Sequence, residues 1–510
     1  MQRNLIILVL LSLVLMLGGC PEDTDDSEVE TGDYDAPQTL RLFSAEASTL
    51  RVKLTWETPD EDDSAYNEDM EGILIIRAAE QYPQAYPLRG DDYQVGDALG
   101  AGIVIANLDP EVEEFNDETI QAGVTYFYEA MTYDELPNYS ETTRLNSTPG
   151  SLVQARLSHT QTNLSNGKVL LCGGVGHSGP LDTAEMYDPE SNAFRPLLTT
   201  MTVERFGHTA TLLNDGRVLL VGGYQEGFLG TLRTAEIFDP TSESFGEVAD
   251  EMDFGRALHT ATRLNDGRVL IIGGTDGVNA LASMVVFDPT TLKFSPLENE
   301  LLRARFGHGV VLVEDFVFVL GGFGDLQSLP FAAMIDTEDF RVTDFNGNPQ
   351  QETDMLVGSL NATVNAVDDD LWLLAGGYVG SWSADDPTAD CELFDPAGED
   401  YFIDAGSLDQ ARSGHAATTL LDGRVLIAGG VGVDLNILDS AEIYDPVEGA
   451  FSSTGNMRLS RTVHGQSLLS DGRVLVTGGN RSIDVFEPEP ASTAETYDPD
   501  SGSFTVVGAK

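Results

Sequence analysis

The sequence predicts an all-β chain: a seven-bladed β-propeller preceded by a small β-sandwich. Three observations carry this. A unit of four short apolar runs recurs between 151 and 510 with a period near 50 residues. Each copy carries a Gly doublet after its second run. Runs alternating in period two fill 37–150, as half-buried strands do.

The clearest copy spans Arg205 to Phe245. Its first two runs are joined by Asn214-Asp215-Gly216-Arg217. Asp-Gly between alternating runs favours a two-residue hairpin turn, which needs positive φ at both centres. The four runs are therefore read as antiparallel strands a to d. Strand b ends at Gly173, Gly222, Gly273, Gly321, Gly376, Gly429 and Gly478, spaced 48 to 55 residues apart. Aromatic-Asp-Pro closes strand c at Tyr187, Phe238, Phe287, Phe394, Tyr444 and Tyr497. Four strands per unit at this period is a propeller signature. The pattern resembles the kelch repeat over residues 153 to 510. Strand d departs from that family, with Phe194, Phe245, Phe294, Phe340, Phe451 and Phe504 where kelch repeats favour Trp.

Ahead of the repeats, residues 1–20 hold Arg3, an apolar run from Leu5 to Leu17, and then Gly18-Gly19-Cys20. The run is short for a membrane span and suits a signal-peptide core. The ending resembles the bacterial lipobox, which implies acylation of Cys20 and anchoring in a membrane of the cell envelope, the outer membrane by expectation. Residues 21–36 are acidic, offer almost nothing to bury, and read as an extended disordered tether. In 37–150, Leu50–Trp56, Gly72–Arg77, Ala101–Ile105 and Gly123–Ala130 read as strands of an antiparallel sandwich. This stretch resembles a fibronectin type III domain, which implies Trp56 as core tryptophan and Tyr126 as corner tyrosine.

Lys and Arg number 27 and Asp and Glu 84, for a formal net charge of −57 over 510 residues. Phosphate binding needs clustered cations, so nucleic acid is excluded as a partner. Of three cysteines, Cys20 belongs to the leader, while Cys172 and Cys391 sit in strands b and c as buried thiols. Neither a metal site nor a cofactor is predicted, and a monomer is expected.

Six of seven histidines occupy one position of the repeat: His159, His208, His259, His308, His415 and His464, with Asn361 in the fifth copy. Ligands spread around a ring do not converge on one ion unless they face the central channel, so a repeated hydrogen bond between blades is expected, with a channel site as the alternative. Three residues upstream stand Arg156, Arg205, Arg256, Arg305, Arg412 and Arg461, with Gly358 in the fifth copy. Strand c carries Glu185, Glu236, Glu392, Glu442 and Glu495. Such recurrence predicts charge-assisted pairs that lock each blade.

The a-to-b and c-to-d turns share one face and repeat closely. The b-to-c and d-to-a joins share the other face and vary, which makes it the expected recognition face. Candidate ligand residues on the b-to-c loops are His177, Tyr224, Phe228, Tyr378, Trp382 and Asp385. Exposed aromatics with carboxylates suit a peptide or a glycan. The fourth and fifth copies degrade together, and a long join from Arg341 to Val357 separates them. The first copy begins at strand a and the last ends at strand d, so closure is expected from packing of the first blade on the last. The functional expectation is a lipid-anchored scaffold binding an envelope protein or glycan, not an enzyme. The alternatives are a carbohydrate-active propeller enzyme, of sugar epimerase or galactose-oxidase-like type, and a structural part of an envelope complex.

Overall fold

The computed structural model describes residues 41–48, 51–57, 70–79, 93–99, 102–109, 112, 114–117, 126–134, 143–147 and 152–507, the last span apart from 178, 226–229, 325, 369, 381–385 and 483–487. Cys20 and the 21–36 segment lie outside the described residues, as do Phe228, Trp382 and Asp385. The chain divides into two units between 155 and 156.

The first unit is built from two antiparallel sheets. Strands β1 (Arg41–Ser48), β2 (Arg51–Glu57) and β6 (Glu114–Asp117) form one sheet in the order 1-2-6. Strands β3 (Met70–Ala79), β4 (Ala98–Leu99), β5 (Gly102–Leu108), β7 (Tyr126–Asp134) and β8 (Thr143–Ser147) form the other in the order 4-5-3-7-8. One face of each sheet is apolar. Leu54 and Trp56 of β2 pack with Ile73, Ile75, Ala106, Tyr128 and Ala130 of the larger sheet. The buried Asp117 is held from both sides, by Arg77 at 2.6 Å and by the Tyr128 hydroxyl at 2.9 Å. Tyr126 lies on β7, and its side chain is outside the description.

The second unit is a β-propeller. Seven sheets with the order a-b-c-d follow one another along the described chain. In the second repeat strand a is Thr209–Leu212, b is Val218–Val221, c is Ala235–Asp239 and d is Ser244–Val248. Strand b is buried throughout, because its two faces meet the sheets on either side. Strand a is innermost, and each strand a neighbours those of the adjoining sheets, the seventh neighbouring the first. Each of these sheets draws its strands from one repeat. Closure therefore rests on contacts between repeats, not on strand exchange. At the first–last junction Gln161 donates to the Ser467 hydroxyl at 2.6 Å and accepts from Thr477 at 2.6 Å.

The Gly doublets explain the junctions. Both glycines of each pair have positive φ, 60° and 100° in the second repeat. The second glycine donates its N–H to a carbonyl of the following repeat, as Gly223 does to Arg256 at 2.8 Å and Gly479 to Arg156 at 2.9 Å. A Cβ on Gly222 would lie 2.3 Å from the Arg256 oxygen, so no side chain is admitted there. The aromatic of strand c packs on that of strand d, with ring centroids 4.8 to 5.0 Å apart for Tyr187–Phe194, Phe238–Phe245, Phe287–Phe294, Tyr444–Phe451 and Tyr497–Phe504.

The fourth repeat differs from expectation. Phe340 is not on strand d; it has φ +56° in the turn before it and packs beneath the Arg268 guanidinium. The stretch Arg341–Val357 is not a bare join either. Val342–Thr343 and Thr353–Asp354 both pair with strand c, so the insertion supplies the outer edge of its own sheet.

Candidate functional site

Each strand a is preceded by four residues that cross the inner end of the propeller. The first, an Arg in six repeats, is buried. Arg412 donates to the carbonyls of Gly429 and Ser440 at 2.8 and 3.0 Å, and to Glu442 at 2.7 Å. Glu442 also accepts the N–H of Asp409 at 2.7 Å, which fixes the incoming d-to-a join. Arg156–Glu185, Arg205–Glu236 and Arg461–Glu495 repeat this pairing at 2.7 to 2.8 Å. In the fourth repeat strand c has no Glu, and Glu352 from the insertion reaches Arg305 instead. Nothing in the spacing of the repeat pointed to Glu352.

Two repeats leave the pairing incomplete. In the third, Val285 stands where five other repeats have Glu, and among the described residues Arg256 meets no carboxylate. Burial lowers its pKa to about 10. In the fifth, Glu392 has no arginine. It accepts the N–H groups of Leu356 and Val357 at 2.9 and 3.2 Å, while its Oε1 is buried without a partner. Desolvation pushes its pKa up to about 7.

The register of the fifth repeat corrects the sequence reading. Gly322 donates to the Ser359 carbonyl, as other doublets do to an arginine carbonyl. Ser359, not Gly358, thus takes the Arg place, and Ala362, not Asn361, takes the His place. Asn361 holds the position just before the histidine, and the backbone explains why. That position is left-handed in every repeat: Ser158, Gly207, Leu258, Gly307, Asn361, Gly414 and Val463 have φ between 48° and 61°. Asn tolerates this conformation. These residues link into a ring, with backbone N–H to C=O bonds at six of the seven junctions, including Ser158 to Val463 at 3.0 Å.

The histidines follow. Nε2 of His208 meets the Thr160 hydroxyl of the previous repeat at 3.0 Å, and His259, His308 and His415 meet Thr209, Thr260 and Thr363 at 2.9 to 3.1 Å. His159 uses Thr477 at 2.9 Å, because Gly465 stands where the threonine would be. Ala416 stands there for His464, whose Nε2 meets no threonine hydroxyl among the described residues. The recurrent His-Thr pairs at 159–160, 208–209 and 259–260 were the available signal for this contact. Desolvation first, then the nearby arginines, lower the pKa of His159, His308 and His415 to about 3, and those of His208, His259 and His464 well below the usual value. All are neutral at physiological pH. Among the described residues no three His, Cys, Asp or Glu are grouped to hold a metal ion.

A cavity of about 350 Å³ opens at the propeller axis. Its wall comes from six residues of the left-handed ring, from His159, His208, His415 and His464, and from residues just after strand b such as Val175, Tyr224 and Asn480. It therefore lies at the end where the b-to-c and d-to-a joins emerge. Tyr224 and Tyr378, expected as exposed loop aromatics, are 1% and 2% exposed. Each forms a backbone bridge to the residue ahead of the ring, Phe206 and Leu360 respectively. Tyr224 stacks on Phe206 with centroids 5.3 Å apart. They are packed because the bridge draws the residue after each doublet back to the axis. His177 is half-buried in its loop. Cys172 and Cys391 are buried free thiols with pKa pushed up to about 12 by desolvation, and neither lines the cavity.

Comparison with known proteins agrees with this architecture. Residues 135–322 match a family model described as the KLHDC2/KLHL20/DRC7 Kelch-repeats domain. Residues 411–458 match the Kelch motif. No curated protein matches the chain. Among solved structures, a fungal alcohol oxidase of the AA5 family in complex with copper is similar at 15% identity and TM-score 0.54, covering 70% of this chain and 79% of that one. The structure of YjhT aligns at 14% identity and TM-score 0.45, covering 59% of this chain and 98% of that one. The chain thus carries kelch repeats, and the likeness to the oxidase is one of fold.

Proposed function

We propose that this protein is a lipid-anchored binding protein of the bacterial envelope that uses the b-to-c face of a seven-bladed kelch propeller. The acylated residue is Cys20, and the 37–150 unit, fibronectin type III-like, serves as a spacer. The observation that carries this reading is the axial cavity, which opens on the face whose joins differ from repeat to repeat. The opposite face is made of tight, nearly identical turns, which offer little to discriminate between ligands.

The alternative is a carbohydrate-active enzyme, favoured by the fold likeness to a copper-bound alcohol oxidase. Against it stands the division of labour among the histidines. Five of the six spend Nε2 on a threonine of a neighbouring sheet, and they are placed by the repeat, not by a common centre.

The test contrasts the two faces. Val278 and Leu326 are exposed on b-to-c loops, and Leu421 and Val447 are exposed on the opposite turns. The purified protein is immobilised and exposed to envelope extract and a glycan panel. A ligand lost with Val278→Asp/Leu326→Asp and kept with Leu421→Asp/Val447→Asp supports the reading. The reverse pattern overturns it. Turnover of a sugar or alcohol on the panel would favour the enzyme.

A further inference from the structure

The left-handed ring contains two residues that do not belong in such a backbone. Glycine occupies three of the seven positions, and Ser158 and Asn361 are small and polar. Leu258 and Val463 have φ of 53° and 48°. A β-branched residue at positive φ is a true outlier, since its Cβ crowds the following carbonyl. Strain of this kind persists where the surroundings or a function hold it. Both side chains line the axial cavity, and both pack against the cluster of Leu157, Val175, Phe206, Tyr224 and Ala257. Glycine would relieve the backbone at either position and would empty that part of the wall.

The second observation is charge. The protein carries a formal −57, yet no Asp, Glu, Lys or Arg is among the described residues that line the cavity. The histidines in its wall are held neutral by burial. A charged ligand would surrender its hydration there without gaining a counter-ion. A sugar would place much of its surface against Leu157, Val175, Phe206, Leu258 and Val463. What the wall offers is largely apolar surface, with polar groups from Ser158, Asn361, Asn480, four histidines of which three spend Nε2 on a threonine, and the buried Tyr224 hydroxyl, which has no partner among the described residues.

We propose that the axial cavity binds an uncharged, largely apolar small molecule with a single hydrogen-bonding group, and that Leu258 and Val463 are its specificity-determining contacts. This rests on the reading of the b-to-c face as the recognition face and names the chemistry of its centre. The volume suits a ligand of two or three fused or linked rings.

Two fluorescent probes of one skeleton test it. N-phenyl-1-naphthylamine is neutral with one N–H. 8-Anilinonaphthalene-1-sulfonate adds an anionic sulfonate. The neutral probe is expected to saturate one site, with the sulfonate about tenfold weaker or worse. Leu258→Gly/Val463→Gly is expected to keep or raise the melting temperature while weakening the neutral probe by about tenfold or more. Leu258→Asn, which suits the same backbone, is expected to weaken it as well. Equal affinity for the two probes, no saturable site, or full affinity in the glycine variant overturns the inference. If face-dependent capture persists while any of these occurs, this inference fails alone. If capture is independent of the face while the probe behaves as expected, the broader reading fails alone.

Discussion

In the sixth repeat Arg412 and Glu442 meet at 2.7 Å, and both are essentially inaccessible to water. In the fifth, Ser359 stands in the arginine place and Glu392 keeps only backbone N–H donors. The two sheets share strand order, Gly doublet and rim bridge. The comparison separates what builds a blade from what steadies it. Backbone junctions survive the loss of the ion pair, because the doublet bonds a carbonyl that any residue supplies. The carboxylate does not adapt, and its pKa rises to about 7. The third repeat is the converse, an arginine without a carboxylate, with its pKa down to about 10.

The comparison breaks first at Arg412. Arg412→Met would leave Glu442 buried and unpaired, and should cost about 3–5 kcal/mol in urea unfolding. A loss as small as that of a surface substitution would mean that the pair is dispensable, as it is in the fifth repeat.

Glu392 sharpens the contrast through pH. Its folded pKa is raised, so the carboxyl favours the folded state below about pH 4.5, and that contribution is lost as pH rises through about 7. Glu392→Gln should therefore be more stable than wild type at pH 8, by about 3 kcal/mol, and close to it at pH 4.5. Ser359→Arg should abolish the same rise by supplying the missing cation. Melting temperatures of the three proteins across this range decide the matter, and parallel profiles would sink it. The histidines run the other way. Their folded pKa values are lowered, so their contribution is present above about pH 6.5 and is lost as pH falls towards 3. Replacing His415 by Gln should flatten that acid limb in proportion.

The smallest effect concerns His464. Ala416→Thr would give its Nε2 the hydroxyl that His415 finds in Thr363 at 3.1 Å. A gain of about 1 kcal/mol is expected in thermal unfolding, and no change would show that the orphaned ring is already accommodated.

Much of the fold was legible because its determinants are local. Asp215-Gly216 specifies a turn, though only Gly216 takes the positive φ expected of both and the loop is longer than two residues; period-two alternation specifies a strand, and a doublet needing positive φ twice admits only glycine. The shared position of the six histidines was legible for the same reason. Their partners were less so, since each threonine belongs to another repeat, about 50 residues away for four of them and across the first–last junction for His159. At Asn361 a one-residue shift escaped the sequence reading, because Asn resembles a substitute for His in hydrogen bonding while the backbone selected it for its tolerance of φ +55°.

By itself, then, the sequence determined the repeat, its four strands, the glycine corners and the acidic surface, all of which follow from short-range geometry and composition. Only the tertiary structure decided that Tyr224 and Tyr378 turn inward, that Glu352 serves Arg305, and that Leu258 and Val463 stand in a left-handed ring around a cavity with no charged side chain among its described lining residues. Those outcomes depend on which residues of separate repeats meet at the axis, and no local propensity encodes that.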